Sequence, residues 1–355
     1  MTREEVLAAI ERDDTIENVD LTGINLAGQD LSGGRFEAVV FRNADLRGAK
    51  IIRTGFKGCD FTGATMEGAN LAGALWMHMN LSGAILARAN LAKAVLSGAD
   101  LTRADLKGAD LSQAMMDNAK LDGADLKGAD LKRAILHKAS LKGADLKGAD
   151  LFKTIFYEAD LTGAILKGAK IHKTFLRDCA LANQDFSGAT FTMTQAGGAD
   201  LKGCNFKGAN ITQSNFMGAD MTGAVLDGVN GERSVFMGTN LSGASLKRAY
   251  FVQSCFEEAD LTVADLSGSN CEQALFNKTK CRGAKFLNIN GTYADFSHAD
   301  ISAADFTGAR MYMARLHRVL DEHTIWDRAD RSLVRDTDAD VAAGEDWVFP
   351  PEEEQ

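Results

Sequence analysis

Proline is missing from the first 349 residues of this 355-residue chain; Pro350 and Pro351 are its only two. A body without proline keeps every backbone N–H available for pairing, as stacked strands require. No apolar run approaches membrane-spanning length. The opening stretch MTREEVLAAIERDD is acidic and lacks the apolar core of a secretory leader, so no signal peptide is expected. Catalytic patterns are absent too: there is no G-x-S-x-G, no phosphate loop and no H-E-x-x-H. The six histidines, His78, His137, His172, His298, His317 and His323, are scattered. His298 and His317 fall on neighbouring turns of the repeat described below, but no Cys or carboxylate completes a metal-ligand spacing around them. No enzymatic activity, metal or cofactor is expected. Aromatic residues make up only 7% of the chain and do not interleave with a basic stripe, which argues against direct nucleic-acid binding.

What the chain has is a five-residue period. Between Ala99 and Leu151, large apolar residues fall at Leu101, Leu106, Leu111, Met116, Leu121 and onward in steps of five. Calling that residue i, a small residue, usually Ala, sits at i−2 and Asp often at i−1. Neither the 3.6-residue period of a helix nor the two-residue period of a flat strand keeps every fifth residue on one side. A coil that turns a corner every five residues does. From Ile16 to Leu316 the register holds at 61 positions, of which 56 are Leu, Ile, Phe, Met or Trp; the exceptions are Ala196, Gly231, Cys271, Cys281 and Gly291. No insertion interrupts it, so the chain reads as one solenoid and not as several globular domains.

A longer period counts the sides. Phe216, Phe236, Phe256, Phe276 and Phe296 recur every 20 residues, and Phe36, Phe56 and Trp76 begin the same series. Four pentapeptides therefore complete a coil, giving about 15 coils and a length on the order of 70 Å at strand spacing. Glycines at i+2, such as Gly98, Gly108 and Gly128, suit corners with unusual backbone angles. Cys59, Cys179 and Cys204 occupy i−2 while Cys271 and Cys281 occupy i, so they read as small buried hydrophobes, and a reduced, cytoplasmic protein is expected.

With its A-(D/N)-L-x-x pattern over about 300 of 355 residues, the chain resembles the pentapeptide-repeat family. The resemblance implies an all-β fold, a right-handed quadrilateral β-helix with i and i−2 inside and the other three positions outside. It also implies, from some relatives, a homodimer formed through the C-terminal end. It leaves function open, since the family includes DNA-mimicking topoisomerase-binding proteins and bacterial secretion-associated proteins.

The expected organisation is a capping helix over 1–13, a β-helix over 14–315, a second capping helix over 316–326 and an acidic, flexible tail over 327–355. In the first helix, Thr2 and Glu5 fit a capping box and Val6, Leu7 and Ile10 form one apolar face, a lid for an open solenoid end. Leu316, Val319 and Leu320 would be the buried side of the second. The formal net charge of −10 is concentrated at the ends: residues 1–19 carry −4, residues 317–355 carry −8, and the coils between them +2. A DNA mimic must present dense negative charge. Here Asp at i−1 is repeatedly answered by Lys at i+1, as in Asp105, Leu106, Lys107, so that function is the weaker alternative.

One side departs from the repeat's own logic. Position i−1 should face water, yet on the fourth side it reads Leu75, Val95, Met115, Ile135, Ile155 and Phe175, with Val235, Cys255 and Leu275 resuming after Gln195 and Asn215. Met77, His137 and Tyr157 flank it at i+1. A contiguous exposed apolar ridge marks a contact surface; the alternative is a self-supporting ladder of β-branched neighbours. The expectation is a non-catalytic, rod-like scaffold that binds a protein partner through Leu75, Val95, Met115, Ile135, Ile155, Phe175 and Tyr157. A topoisomerase-regulating DNA mimic and a secretion-associated adaptor are the alternatives.

Overall fold

The computed structural model describes residues 1–347. Chain segments 20 residues apart pair in parallel all along it, beginning with β1 (Thr15–Glu17), β2 (Arg35–Glu37) and β3 (Gly55–Lys57), and continuing as single-residue bridges to Arg315↔Arg335. Four such ladders run side by side through the i−1 positions, one for each side of a quadrilateral coil. Numbering the sides from the i−1 residue, Asp100 lies on the first, Asp105 on the second, Asp110 on the third and Met115 on the fourth.

The repeat follows from an accounting of backbone donors. In the pentapeptide around Leu106, Leu106 N–H donates to Asp125 O at 2.8 Å, Gly108 N–H to Lys127 O at 2.9 Å, and Asp105 N–H to Ala84 O at 2.9 Å, while Ala109 N–H closes the corner onto Leu106 O at 3.0 Å. The fifth donor, Lys107 N–H, has no backbone acceptor and finds the Asp105 side chain at 3.1 Å. Asp or Asn at i−1 is thus the acceptor the corner lacks, and proline has no position to occupy. Position i+2 adopts positive φ whether or not it is glycine: Arg103 sits at 56° and Gly108 at 60°. The corner is set by the stack, and glycine only eases it.

Inside, i and i−2 residues are buried along the rod. The Phe216, Phe236, Phe256, Phe276 and Phe296 rings stack at centroid spacings of 5.2, 4.8, 5.0 and 4.6 Å. Glycine at i is compensated from the coil below. A Cβ on Gly231 would lie 2.6 Å from the Phe251 ring, and one on Gly291 would lie 2.6 Å from Met311 Sδ. All six cysteines are free, and burial pushes the Cys179, Cys204, Cys271 and Cys281 thiols up to about 12, which keeps them protonated and inert.

At the N-terminus, α1 (Arg3–Glu11) carries the capping box, with Thr2 Oγ1 accepting from Glu5 N–H and Glu5 Oε2 accepting from Thr2 N–H. Val6 and Ala9 are buried against the first coil, and Ile10 lies 3.1 Å from where a Cβ on Gly34 would stand.

The C-terminal end differs from the sequence expectation. No helix forms over 316–326; the coil register continues to Arg335, although its i positions there are Asp321, Trp326 and Arg331. The backbone edge of the coil above templates it: Ile325 N–H donates to Ala304 O at 2.9 Å and Leu316 N–H to Arg335 O at 2.8 Å. Trp326 stacks on Phe306 at 4.4 Å, and the Arg331 guanidinium lies 4.7 Å over the Trp326 ring. The last coil therefore closes the core with an aromatic ring and a polar face. The helix that does form is α2 (Ala339–Glu345), inside the segment expected to be a flexible tail. Trp347 is the last described residue, so Val348, Phe349 and the residues after them in that tail lie outside the description.

The ladders are interrupted on the fourth side between Gly55 and Leu75, and on two sides at once at one later coil step. On the second side Ile165 and Asp185 do not pair, and on the third neither do Lys170 and Thr190, while the first and fourth sides stay bridged through Ala180↔Asp200 and Phe175↔Gln195. Gly163, Leu166, Gly168, Ile171, Asp185 and Thr190 N–H make no backbone bond to the neighbouring coil. Clefts of about 520 and 440 Å³ open there. Gln184 occupies i−2, where the regular coils place Ala, and its Nε2 donates to Leu161 O at 3.3 Å. Phe186 and Phe191 lie where Leu and Ile stand one coil earlier, at Leu166 and Ile171. The parting coincides with the longer amide of Gln184 and the rings of Phe186 and Phe191.

Candidate functional site

The fourth side carries the features that depart from the repeat. Its outward row pairs as one ladder from Leu75 through Val95, Met115, Ile135 and Ile155 to Phe175. Leu75 is 64% exposed and Met115 43%; Val95, Ile135, Ile155 and Phe175 are half-buried against their neighbours. Tyr157 meets Phe175 edge-to-face at 6.0 Å, and His137 Nδ1 lies 3.1 Å from Tyr157 O. The structure thus brings all seven sequence-selected residues onto one face.

Beneath this face runs a row that the sequence reading missed. Thr154, Thr174, Thr194, Ser214 and Ser234 occupy i−2, fully buried, each donating to the carbonyl 23 residues earlier: Leu131 at 2.7 Å, Leu151 at 2.8 Å, Ile171 at 3.0 Å, Phe191 at 2.5 Å and Ile211 at 2.7 Å. The 20-residue spacing of Thr and Ser at i−2 was the available signal. These bonds satisfy buried hydroxyls and tie each coil to the one before it.

The ridge ends in a notch. The i+1 row reads His137, Tyr157, Arg177, then Gly197 and Met217, and the missing side chain at Gly197 leaves a cavity of about 780 Å³. Phe175 and Tyr157 wall one end of it, with Lys153, Lys173 and Arg177 at its rim.

Further along, α2 lies on the same side. Glu345 reaches His298 Nε2 and His317 Nε2, each at 3.3 Å, and Arg318 Nε at 3.3 Å, while Arg318 Nη2 meets Asp346 at 2.5 Å. Burial pushes the Glu345 carboxyl up, but the two histidines outweigh it and hold the group below its ordinary value. Glu345 is the carboxylate that the spacing of His298 and His317 lacked, and the three ligand atoms lie within 4.8 Å of one another. The geometry still favours an ionic clasp over a metal centre. His317 Nδ1 accepts Asp338 N–H at 3.2 Å, which leaves its proton on Nε2, the atom a metal would need. A metal-bound imidazole instead donates from its other nitrogen.

On the second side lysines bridge successive aspartates. Lys107 spans Asp105 and Asp125, each at 3.2 Å, and Lys127 spans Asp125 at 3.1 Å and Asp145 at 3.0 Å. Burial raises the Asp125 carboxyl, but bonds to Lys127 and Lys107 overcome it and hold it below the usual carboxylate range. Among the described residues, no helix is long and apolar enough to cross a membrane.

A four-sided parallel β-helix of 20-residue coils with one apolar face places the molecule in the class of β-solenoids. The pentapeptide-repeats (8 copies) model matches the chain in ten segments between residue 20 and residue 319, and the chain belongs to the pentapeptide-repeat family. Among solved structures, it is similar to HetL, a pentapeptide repeat protein involved in heterocyst differentiation regulation from the cyanobacterium Nostoc, at 23% identity over 72% of this chain and 88% of that one, with a TM-score of 0.24. It is also similar to QnrB1, a plasmid-mediated fluoroquinolone resistance protein, at 20% identity over 60% of this chain and 93% of that one, with a TM-score of 0.32. No curated protein matches the chain.

Proposed function

We propose that this chain is a non-catalytic, rod-like scaffold that binds protein through its fourth side. The observation that carries the reading is the outward apolar ladder, with Leu75 64% and Met115 43% exposed on a rod whose other sides are laddered with paired charges. An apolar row of this length on a charged surface is a place for another molecule to bury it. The interleaved lysines count against the alternative, a DNA mimic acting on a topoisomerase, because on the second side Lys107 and Lys127 each bridge successive aspartates.

Replacing Ile135, Ile155 and Phe175 with Ser tests the reading. These side chains support no core, so the variant is expected to melt close to the parent while losing capture of a partner from the native host. A triple variant that captures the same partner, or that unfolds, removes the contact reading and leaves the ridge a structural ladder. Supercoiling by gyrase is expected to be unaffected by micromolar protein; salt-sensitive inhibition restores the DNA-mimic alternative.

A further inference from the structure

The notch at Gly197 has a chemistry of its own. Its floor is backbone: Gly197 already packs so closely that a Cβ there would stand 3.3 Å from Met217 O. The edge-to-face pair Tyr157 and Phe175 lies at one end, and Met193 and Met217, 40% and 46% exposed, at the other. Three cations rim it. Arg177 is engaged with Asp178 at 3.1 Å, but among the described residues neither Lys153 nor Lys173 meets a carboxylate; Lys153 Nζ lies 5.3 Å over the Phe152 ring. Lys107, Lys127, Lys132, Lys142 and Lys202 lie on acidic partners, whereas Lys153 and Lys173 stand one coil apart beside an aromatic wall. The ligand they suit carries carboxylates next to an aromatic or apolar side chain.

We propose that this notch seats the acidic, aromatic segment at residues 348–355 of a second copy of the chain. That segment reads VFPPEEEQ: one Phe, two prolines that preset their own φ, three Glu and no basic residue. The fourth side already seats the acidic stretch just before it, since Glu345 and Asp346 are held by His298, His317 and Arg318. Reach decides which copy supplies the segment. Phe349 lies four residues beyond Glu345, at most about 14 Å of extended chain. The notch is about five coils from His298, roughly 24 Å at strand spacing. The segment of the same chain cannot place Phe349 there. Two rods lying antiparallel with fourth sides facing exchange their segments reciprocally, a closed two-fold arrangement.

The inference rests on the reading of the fourth side as a contact face, and charge exchange in the full-length chain tests it. The mass in solution is measured by light scattering for the parent, for K153E/K173E, for E352K/E353K/E354K and for all five changes in one chain. The parent is expected to be a dimer at tens of micromolar. Each reversal alone is expected to weaken dimerisation at least tenfold, and the combination to restore it. Because the lysine heads stand at the surface, all four proteins are expected to melt alike, and restoration excludes misfolding as the cause of loss. A monomeric parent, or a dimer indifferent to either reversal, overturns the proposal. A host partner captured through Ile135 and Ile155 by a monomeric parent overturns this inference alone. A dimer that obeys the charge exchange, with no capture of any host protein, overturns the scaffold reading alone and leaves a self-association surface.

Discussion

Two stretches of the rod share one register and differ in what fills it. Between residues 81 and 151 the inward positions are Leu or Met over Ala, fully buried to within 2%, and every backbone bridge is made. At the step from residues 161–180 to 181–200, Gln184 replaces the small residue, Phe186 and Phe191 replace the aliphatic ones, and two of the four sides part. Ala164, Leu166 and Ala169 are 5%, 4% and 6% exposed, so the core is just visible through the gap. Continuity of a hydrophobic period is therefore not continuity of packing. The period fixes which way a side chain points; the volumes at i and i−2 fix whether neighbouring coils close on each other.

The strongest way to break the comparison is to spoil the tight stretch. Leu126→Asp places an unpaired carboxyl in a dry column and is expected to destabilise by more than about 4 kcal/mol, read as a collapse of the thermal transition. A variant that melts with the parent means that i does not point inward.

Next in size is the difference in local opening. Leu166, Gly168, Ile171, Asp185 and Thr190 amides are expected to exchange with deuterium at least about a hundredfold faster than Leu106, Gly108 and Leu111, since the first group lacks inter-coil bonds. Gln184→Ala removes the longer amide and is expected to narrow that gap. Equal protection in both stretches of the parent would show the parting to be no weak point.

The smallest effect per residue sharpens the comparison through pH. Carboxylates line the bridged sides of the tight stretch, as at Asp125 and Asp145, whereas Ile165 and Lys170 stand at the parted step. Asp30 is held down to about 2 by the Ser32 hydroxyl, with help from Ser32 N–H and Lys50. At Asp125 and Asp145, burial is outweighed by lysine bonds, and both carboxyls are held below their ordinary value. Lowered carboxyls stabilise the fold fully above their unfolded value and lose that contribution as pH falls through the folded one. Stability is expected to be level from about pH 5 to 7 and to decline from about pH 4 towards 2. A melting temperature unchanged down to pH 2 removes the Asp–Lys ladders from the account of stability.

Much of this was legible in the sequence, and for a physical reason. Each side of the coil is only five residues long, so a single apolar residue at Leu101 or Phe236 fixes the orientation of its whole side. The ridge from Leu75 to Phe175 was legible for the same reason. The last coil was not: Asp321 and Arg331 break the apolar rule, and only the exposed edge of the coil above carries the backbone through them. Nor was the clasp of Glu345 with His298 and His317, because a contact spanning 47 residues through an off-register helix leaves no period to read. Gly197 did leave a trace, as a small residue in a row of large ones, but a notch becomes visible only once its neighbours at Phe175 and Met217 are in place.

The covered N-terminal coil has a consequence for how the rod is made. Every inter-coil bond links residues about 20 apart, so the relative contact order is about 0.06, in the range of fast-folding chains. With α1 already seated on the first coil, the upstream edge is blocked and only the downstream edge accepts a new layer. As the chain leaves the ribosome, each batch of 20 residues meets a finished template and nothing else. The rod therefore lengthens in the order of its own translation, and a pause in synthesis leaves a shorter rod with one growing tip.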